Sequence, residues 1–164
     1  MATDQSPVAK VAKLPVSFYL LSEHKAQDFL GFVAQLVQTA LNKIHQSLLI
    51  LVDDEVLLTE LDTALWAHEA TSFIPHQLLT VSTAESADNV LAPVLLGAHV
   101  PIPFTGMILN TTARTVTDFI GVADNISLTR ILEIIKPDMD SVEAGRAKYK
   151  HYQQLGYELT HFKV

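Results

Sequence analysis

Two places in the chain put reactive side chains at spacings that let them act together. The first is Asp53-Asp54, directly after the apolar run Leu48-Leu-Ile-Leu-Val52. Carboxylates at the carboxyl end of a buried parallel strand stand where open α/β sheets bind ligands, so a magnesium or phosphate site is one reading. Capping of the next helix is the other, and no lysine or glycine-rich loop completes a phosphate site. The second place holds Arg146, Tyr149 and Lys150 at i, i+3 and i+4, which share one face of a helix. A guanidinium, an ammonium and a ring on one face can pair with a carboxylate and hold an aromatic group at once. The same pattern also suits an ordinary solvated helix face.

Other chemistries find little support. There are no cysteines, which removes disulfides, thiolate nucleophiles and cysteine zinc sites together. The seven histidines show no HxxxH or HxH spacing, so convergent metal ligation is not indicated. GxxxxGK(S/T), GxGxxG and GxSxG are all missing. One more stretch stands out, Leu61-Asp-Thr-Ala-Leu-Trp66 through Phe73-Ile-Pro75-His76, which holds the sole tryptophan. Pro75 restricts the residue before it and donates no amide, so a helix ends near Trp66 and Phe73 sits on the loop beyond. Two large aromatics at such a turn are either core or anchors for another protein.

The elements that must position these residues are legible in the periodicity. Val16–Leu21 is a short run of strand formers. Phe29, Phe32, Val33, Leu36, Val37, Ala40, Leu41 and Ile44 repeat with helical spacing through four turns. Leu48–Val52 is apolar throughout, as a strand covered on both faces requires. Leu57, Leu58, Leu61 and Leu65 form the buried stripe of the next helix. Residues 80–90 read as loop, Pro93–Leu96 and Met107–Leu109 as short strands about the turn Pro101-Ile-Pro103, and Arg130–Ile135 as another strand. A last helix starts at Pro137-Asp-Met-Asp140 and runs to about Leu155, with Ala144, Ala147, His151 and Leu155 toward the sheet. Gly156 caps it, and Tyr157–Phe162 alternates as an edge strand does. The alternation of strands and helices predicts a Rossmann-like α/β three-layer sandwich with a mostly parallel sheet.

With 164 residues, 49% hydrophobic and 18% charged, the chain can bury one sizeable core. We expect a single domain over 15–164, preceded by a flexible arm at 1–14. No apolar run is long enough to span a bilayer, and Met1–Pro7 is unlike a signal peptide, so a cytoplasmic protein is expected. The net charge of −7 argues against a large nucleic-acid surface. That charge is uneven. Of 11 basic and 18 acidic residues, six and five lie in 129–164, which leaves five and thirteen in the rest. A locally basic end on an acidic body suits a small anionic group or an acidic peptide.

Phe18-Tyr-Leu-Leu21, LDxALW at 61–66, SF(I/V)PH at 72–76, and Tyr149-Lys-His-Tyr152 followed by Gly156-Tyr157 occur in one order. In these motifs the chain resembles the chi subunit of bacterial DNA polymerase III holoenzyme, over about 16–163. The resemblance implies a non-catalytic replication accessory protein without cofactor or metal, touching DNA only indirectly and no membrane. It implies two protein-binding surfaces. One takes the acidic, phenylalanine-terminated tail of single-stranded DNA-binding protein; the matching residues are Arg146, Tyr149 and Lys150, with Ile135 as an apolar neighbour. Val142 stands where the family suggests a further basic residue. The other binds the psi subunit of the clamp loader, or in some bacteria a repair helicase, and is matched by Trp66, Phe73 and Pro75. The rival from another class is a small α/β metal-dependent phosphatase or nucleotide-binding enzyme using Asp53 or Asp54.

Overall fold

The structure, a computed structural model, describes residues 14–43, 47–67, 74–79, 93–120 and 126–164. The expected arm, the loop at 80–90 and Phe73 lie outside them. In chain order the described elements are β1 (Pro15–Leu20), α1 (Glu23–Gln27), α2 (Phe29–Lys43), β2 (Ser47–Leu51) and α3 (Glu55–Trp66). There follow β3 (His76–Leu78), β4 (Val94–Gly97), β5 (Phe104–Asn110), α4 (Thr117–Ile120), β6 (Ile126–Ile135), α5 (Met139–Gln154) and β7 (Glu158–Lys163).

The seven described strands form one sheet in the order β3-β4-β2-β5-β6-β1-β7. All its pairings are parallel, so the described sheet is more uniform than the mostly parallel one expected. β2 lies between β4 and β5, with helical layers on both faces, which is why Leu48 to Leu51 are all apolar and fully buried. On one face α2 and α3 lay Val33, Val37, Leu61 and Leu65 against Leu48, Ile50, Leu96 and Leu109. On the other, α4 and α5 cover Val16, Phe18, Leu49 and Ile131, with Tyr152 and the partly buried Phe119 packed among them. The result is the three-layer α/β sandwich that the alternation predicts.

Local signals set the boundaries. Asp54 is the N-cap of α3 and accepts from the Val56 amide at 3.2 Å. Ser22 caps α1, a one-turn helix too short for periodicity to reveal, and Asp28 ends it. Asp138 caps α5 through the Ser141 amide at 3.0 Å and hydroxyl at 2.8 Å, and these bonds hold its carboxyl below the usual carboxylate range. Gly156 adopts φ +82°, where a side chain would be strained, and turns the chain from α5 into β7.

β1 and β6 are neighbours, yet the chain leaves them for opposite faces, through α1–α2 from β1 and through α5 from β6. That divergence leaves the carboxyl ends of both strands only partly roofed. β7 then pairs with the free side of β1, from Pro15↔Glu158 to Leu20↔Lys163.

Candidate functional site

α5 crosses this partly roofed region, and between it and the strands lies a groove of about 770 Å³. Arg146, Tyr149, Lys150 and Ile135 all line it, so the residues singled out in the sequence are brought together. Arg146 and Lys150 are exposed at the rim, Tyr149 is half-buried, and Ile135 lies in the floor at 7% exposure. Val142 also lines the groove and adds apolar surface where a cation was suggested.

Two further parts of the wall come from strands. Phe18 of β1 is buried, with its ring 5.7 Å from that of Tyr149 and 5.7 Å from that of His161 on β7. His161 and Tyr149 stack at 5.0 Å and 26°. Sequence reasoning missed His161. Its signal was the alternation of β7, which puts Leu159, His161 and Lys163 on the face that looks toward α5. Among the described residues no aspartate or glutamate lines the groove, although the whole chain carries −7. A cavity of this size, apolar within and cationic at its rim, suits a ligand with one anionic end and a hydrophobic body.

The inward face of α5 differs from expectation. Ala147 is exposed and Leu155 is 39% exposed, while Gly145, Lys148 and Tyr152 are the buried positions. The helix is turned so that two polar side chains point at the sheet. The reason is Glu133 of β6, which is fully buried. Lys148 Nζ donates to Glu133 Oε1 at 2.8 Å and to the Thr112 carbonyl at 2.5 Å. The Tyr152 hydroxyl and Asn110 Nδ2 donate to Glu133 Oε2 at 2.7 and 2.9 Å. The Val116 amide donates to the Tyr152 oxygen at 2.9 Å, so the hydroxyl is used twice. Burial pushes the Glu133 carboxyl above the usual range, and Lys148, Asn110 and Tyr152 work against that push. The Tyr152 hydroxyl is driven far above a normal phenol, first by burial and then by the Glu133 charge. This network ties α5 to β6 and to the 110–116 loop, and thereby fixes where Arg146 and Lys150 stand. Gly145 permits the close approach, since a Cβ there would lie 2.5 Å from Ile135 Cδ1.

The second aromatic cluster lies on α3 and at the start of β3. Trp66 is 56% exposed and Pro75 is exposed, so neither is core. Ile74, just before Pro75, is buried and donates its amide to the Leu65 carbonyl at 3.2 Å. The Trp66 ring meets His76 edge-on at 5.3 Å.

Asp53 and Asp54 end β2 as the sequence suggests, with Asp53 exposed and Asp54 engaged as a helix cap. Among the described residues no three histidine or acidic side chains converge as metal ligands, and no helix is long and apolar enough to cross a membrane.

Comparisons with known proteins agree with the motifs. Residues 15–160 match the family model for the DNA polymerase III chi subunit, HolC. The DNA polymerase III subunit chi of Pseudomonas aeruginosa is 28% identical over 150 residues, covering 91% of this chain and 96% of the relative. That of Escherichia coli is 29% identical over 147 residues, covering 88% and 94%. Among solved structures, the C-terminal domain of the DEAD-box protein Dbp5 superposes with a TM-score of 0.61 over 91% of each chain, at 15% identity. A Saccharomyces cerevisiae Dbp5 C-terminal domain bound to Gle1 gives a TM-score of 0.56, again at 15% identity. These two likenesses describe the fold alone. The match to that family model over residues 15–160, with two such relatives aligned along about nine-tenths of the chain, places the chain in the DNA polymerase III chi-subunit family.

Proposed function

We propose that this chain is a non-catalytic adaptor of the replication machinery, working in the cytoplasm. It binds the acidic, phenylalanine-terminated tail of single-stranded DNA-binding protein in the α5 groove, and so holds the clamp loader and polymerase near coated single strands. The observation that carries this is the groove itself, with Arg146 and Lys150 over an aromatic and aliphatic floor and no carboxylate in its lining. The terminal carboxylate pairs with the guanidinium and the ammonium at the rim. The terminal ring lies against Tyr149, Ile135 and Val142, and His161 closes one side. Acidic residues upstream follow the basic rim, which gives contact with DNA only through the partner.

On the other face, Trp66 and Pro75, with Phe73 of the same motif, form a surface for a helix of the psi subunit, or of a repair helicase that takes its place. An exposed indole is the side chain that interface hot spots favour. The use of Asp54 as a cap supports an adaptor over a hydrolase at the β2 end.

Calorimetry with a synthetic acidic peptide ending in a free phenylalanine tests the groove. Binding is expected to weaken strongly when the terminal carboxylate is amidated and when salt is raised, since exposed charges are screened within roughly 8 Å at physiological ionic strength. Equal affinity of the acid and the amide would refute the pairing.

A further inference from the structure

β7 is the outermost strand on its side of the sheet, and among the described residues nothing pairs with its outer edge. It is a regular strand of six residues without proline, in unbroken register with β1. A bulge, a proline or a very short strand would blunt such an edge, and β7 has none of them. The opposite edge strand, β3, has only three residues. The pairing with β1 decides which backbone groups are left over. Glu158 and Val164 donate their amides to the Leu14 and Leu20 carbonyls, each at 3.0 Å. Successive residues of a strand turn their backbone groups to opposite sides, so the even-numbered residues of β7 face β1. The N–H and C=O groups of Leu159, His161 and Lys163 therefore point outward, a row of donors and acceptors open to another strand.

The same three residues carry the side chains on the α5 side of the strand. His161 is a wall of the groove that Arg146 and Lys150 border, and Lys163 carries that cationic border on along β7. Glu158, the acid of β7, falls on the opposite face with Thr160 and Phe162, where the Phe162 ring stacks on Tyr19 at 5.2 Å and 19°. Groove and edge are thus continuous, and His161 belongs to both. A chain leaving the groove past His161 meets an open edge about 20 Å long, at roughly 3.3 Å for each of its six residues. Its groove side is cationic. An acidic segment would neutralise that border, whereas a second copy of this chain would bring its own Lys163 to it, like against like.

We infer that the outer edge of β7 is a strand-addition site for the acidic segment preceding the terminal phenylalanine of the tail. The backbone of that segment pairs with Leu159, His161 and Lys163, and its carboxylates meet Lys163 and the rim of the groove. The inference rests on the reading that the α5 groove takes the phenylalanine terminus. Main-chain pairing accepts any extended segment, and the cations beside the edge select an acidic one. The groove then fixes the end of the peptide, and β7 fixes its course.

The experiment follows amide hydrogen exchange and affinity for the full chain with two synthetic peptides that share a free terminal phenylalanine. One is short and reaches the groove alone; the other adds an acidic segment long enough to span β7. The long peptide should slow exchange at the amides of Leu159, His161 and Lys163, and the short one should leave them as they are in the free chain. Two N-methylated forms of the long peptide, blocked at one or the other alternate set of upstream amides, complete the test. A strand turns only one set toward its neighbour, so one form should lose about tenfold or more in affinity and the other little. Equal affinity of the two forms overturns the inference. So does slow exchange of the three amides in the free chain, which would mean that a second copy or another part of the chain already covers the edge. If both peptides bind, Arg146→Ala weakens both, and the three amides stay unprotected, strand addition fails while the groove reading stands. If neither peptide binds, the groove reading fails and takes the strand addition with it.

Discussion

Replacing Lys148 with methionine should unfold the protein well below its normal melting temperature, although the side chain lies between two exposed cations on the same helix. Methionine fills much the same volume as the lysine stem, so the cavity left behind is small. What is lost is the counter-charge of Glu133, which stays fully buried, and the donor to the Thr112 carbonyl. Removing one partner of a buried ion pair costs about 3–5 kcal/mol. In a chain of this length each kcal/mol moves the midpoint by about 2–4 °C, which gives a fall of roughly 6–20 °C at neutral pH. The pH dependence is diagnostic. Burial already holds the folded-state pKa of Glu133 above its value in the unfolded chain, so this residue's contribution to stability is greatest at low pH and falls as pH rises through that window. Without Lys148 the folded-state value rises further and the loss on the alkaline side deepens. The deficit of Lys148→Met should thus be largest at neutral and alkaline pH and shrink on acidification toward the ordinary carboxylate range, where a neutral Glu133 needs no cation. Adding Glu133→Gln should recover much of the loss at pH 7. Calorimetric melts of the wild type, the single and the double variant across pH decide it. A Lys148→Met protein that melts with the wild type at neutral pH, or whose deficit ignores pH, would refute the closed network.

Arg146→Ala and Lys150→Ala should each weaken tail-peptide binding, by about 1.5–3 kcal/mol where the bound peptide shields the pair and by less where water reaches it. Because both side chains are exposed, melting temperatures should stay put, and wild-type affinity in both variants would remove this site from consideration. Gly145→Ala should cost peptide binding. Its Cβ would displace Ile135 Cδ1 from the groove floor, while alanine in place of glycine favours the helix by about 1 kcal/mol; an unchanged peptide affinity would show that the floor adjusts freely. Trp66→Ala should lose about 2 kcal/mol or more of psi or helicase binding and leave both tail binding and the melting temperature nearly intact, which paired titrations and melts can read.

The parts of the fold that the sequence disclosed are those in which burial and polarity agree. Leu48–Leu51 could only be an interior strand, and the stripe from Phe29 to Leu41 could only be one side of a helix. Asp138 and Gly156 marked the ends of α5 because cap chemistry is local. The inward face of α5 was misplaced for the opposite reason. Helical spacing fixes which residues lie together but not which group turns inward, and a lysine and a tyrosine suggest solvent when their partner is out of view. The available signal was Glu133, a lone acid inside Arg130–Ile135, since a charge in an otherwise apolar interior strand calls for a counter-charge elsewhere. Arg146, Tyr149 and Lys150 could be grouped because they share a helical spacing, whereas Ile135 entered only as an apolar neighbour that the family resemblance implied. His161 was not legible, because its place depends on which strand β7 joins, and that pairing spans almost the whole chain.

That last pairing has a consequence for timing during synthesis. Phe18, near the beginning, faces His161, near the end, and β1 lies between β6 and β7 in the finished sheet. Arg130 Nη1 reaches back to Ser17 Oγ at 2.8 Å across 113 positions. The groove is therefore not a local product of α5, however complete that helix is. A nascent chain still lacking β7 carries Arg146 and Lys150 but no closed wall opposite them, and it should ignore the tail of single-stranded DNA-binding protein. The groove would then close only once β7 has been made and has docked beside β1. A version stopped after Gly156 offers a direct check, because full peptide affinity in that shortened chain would show that the helix alone is sufficient.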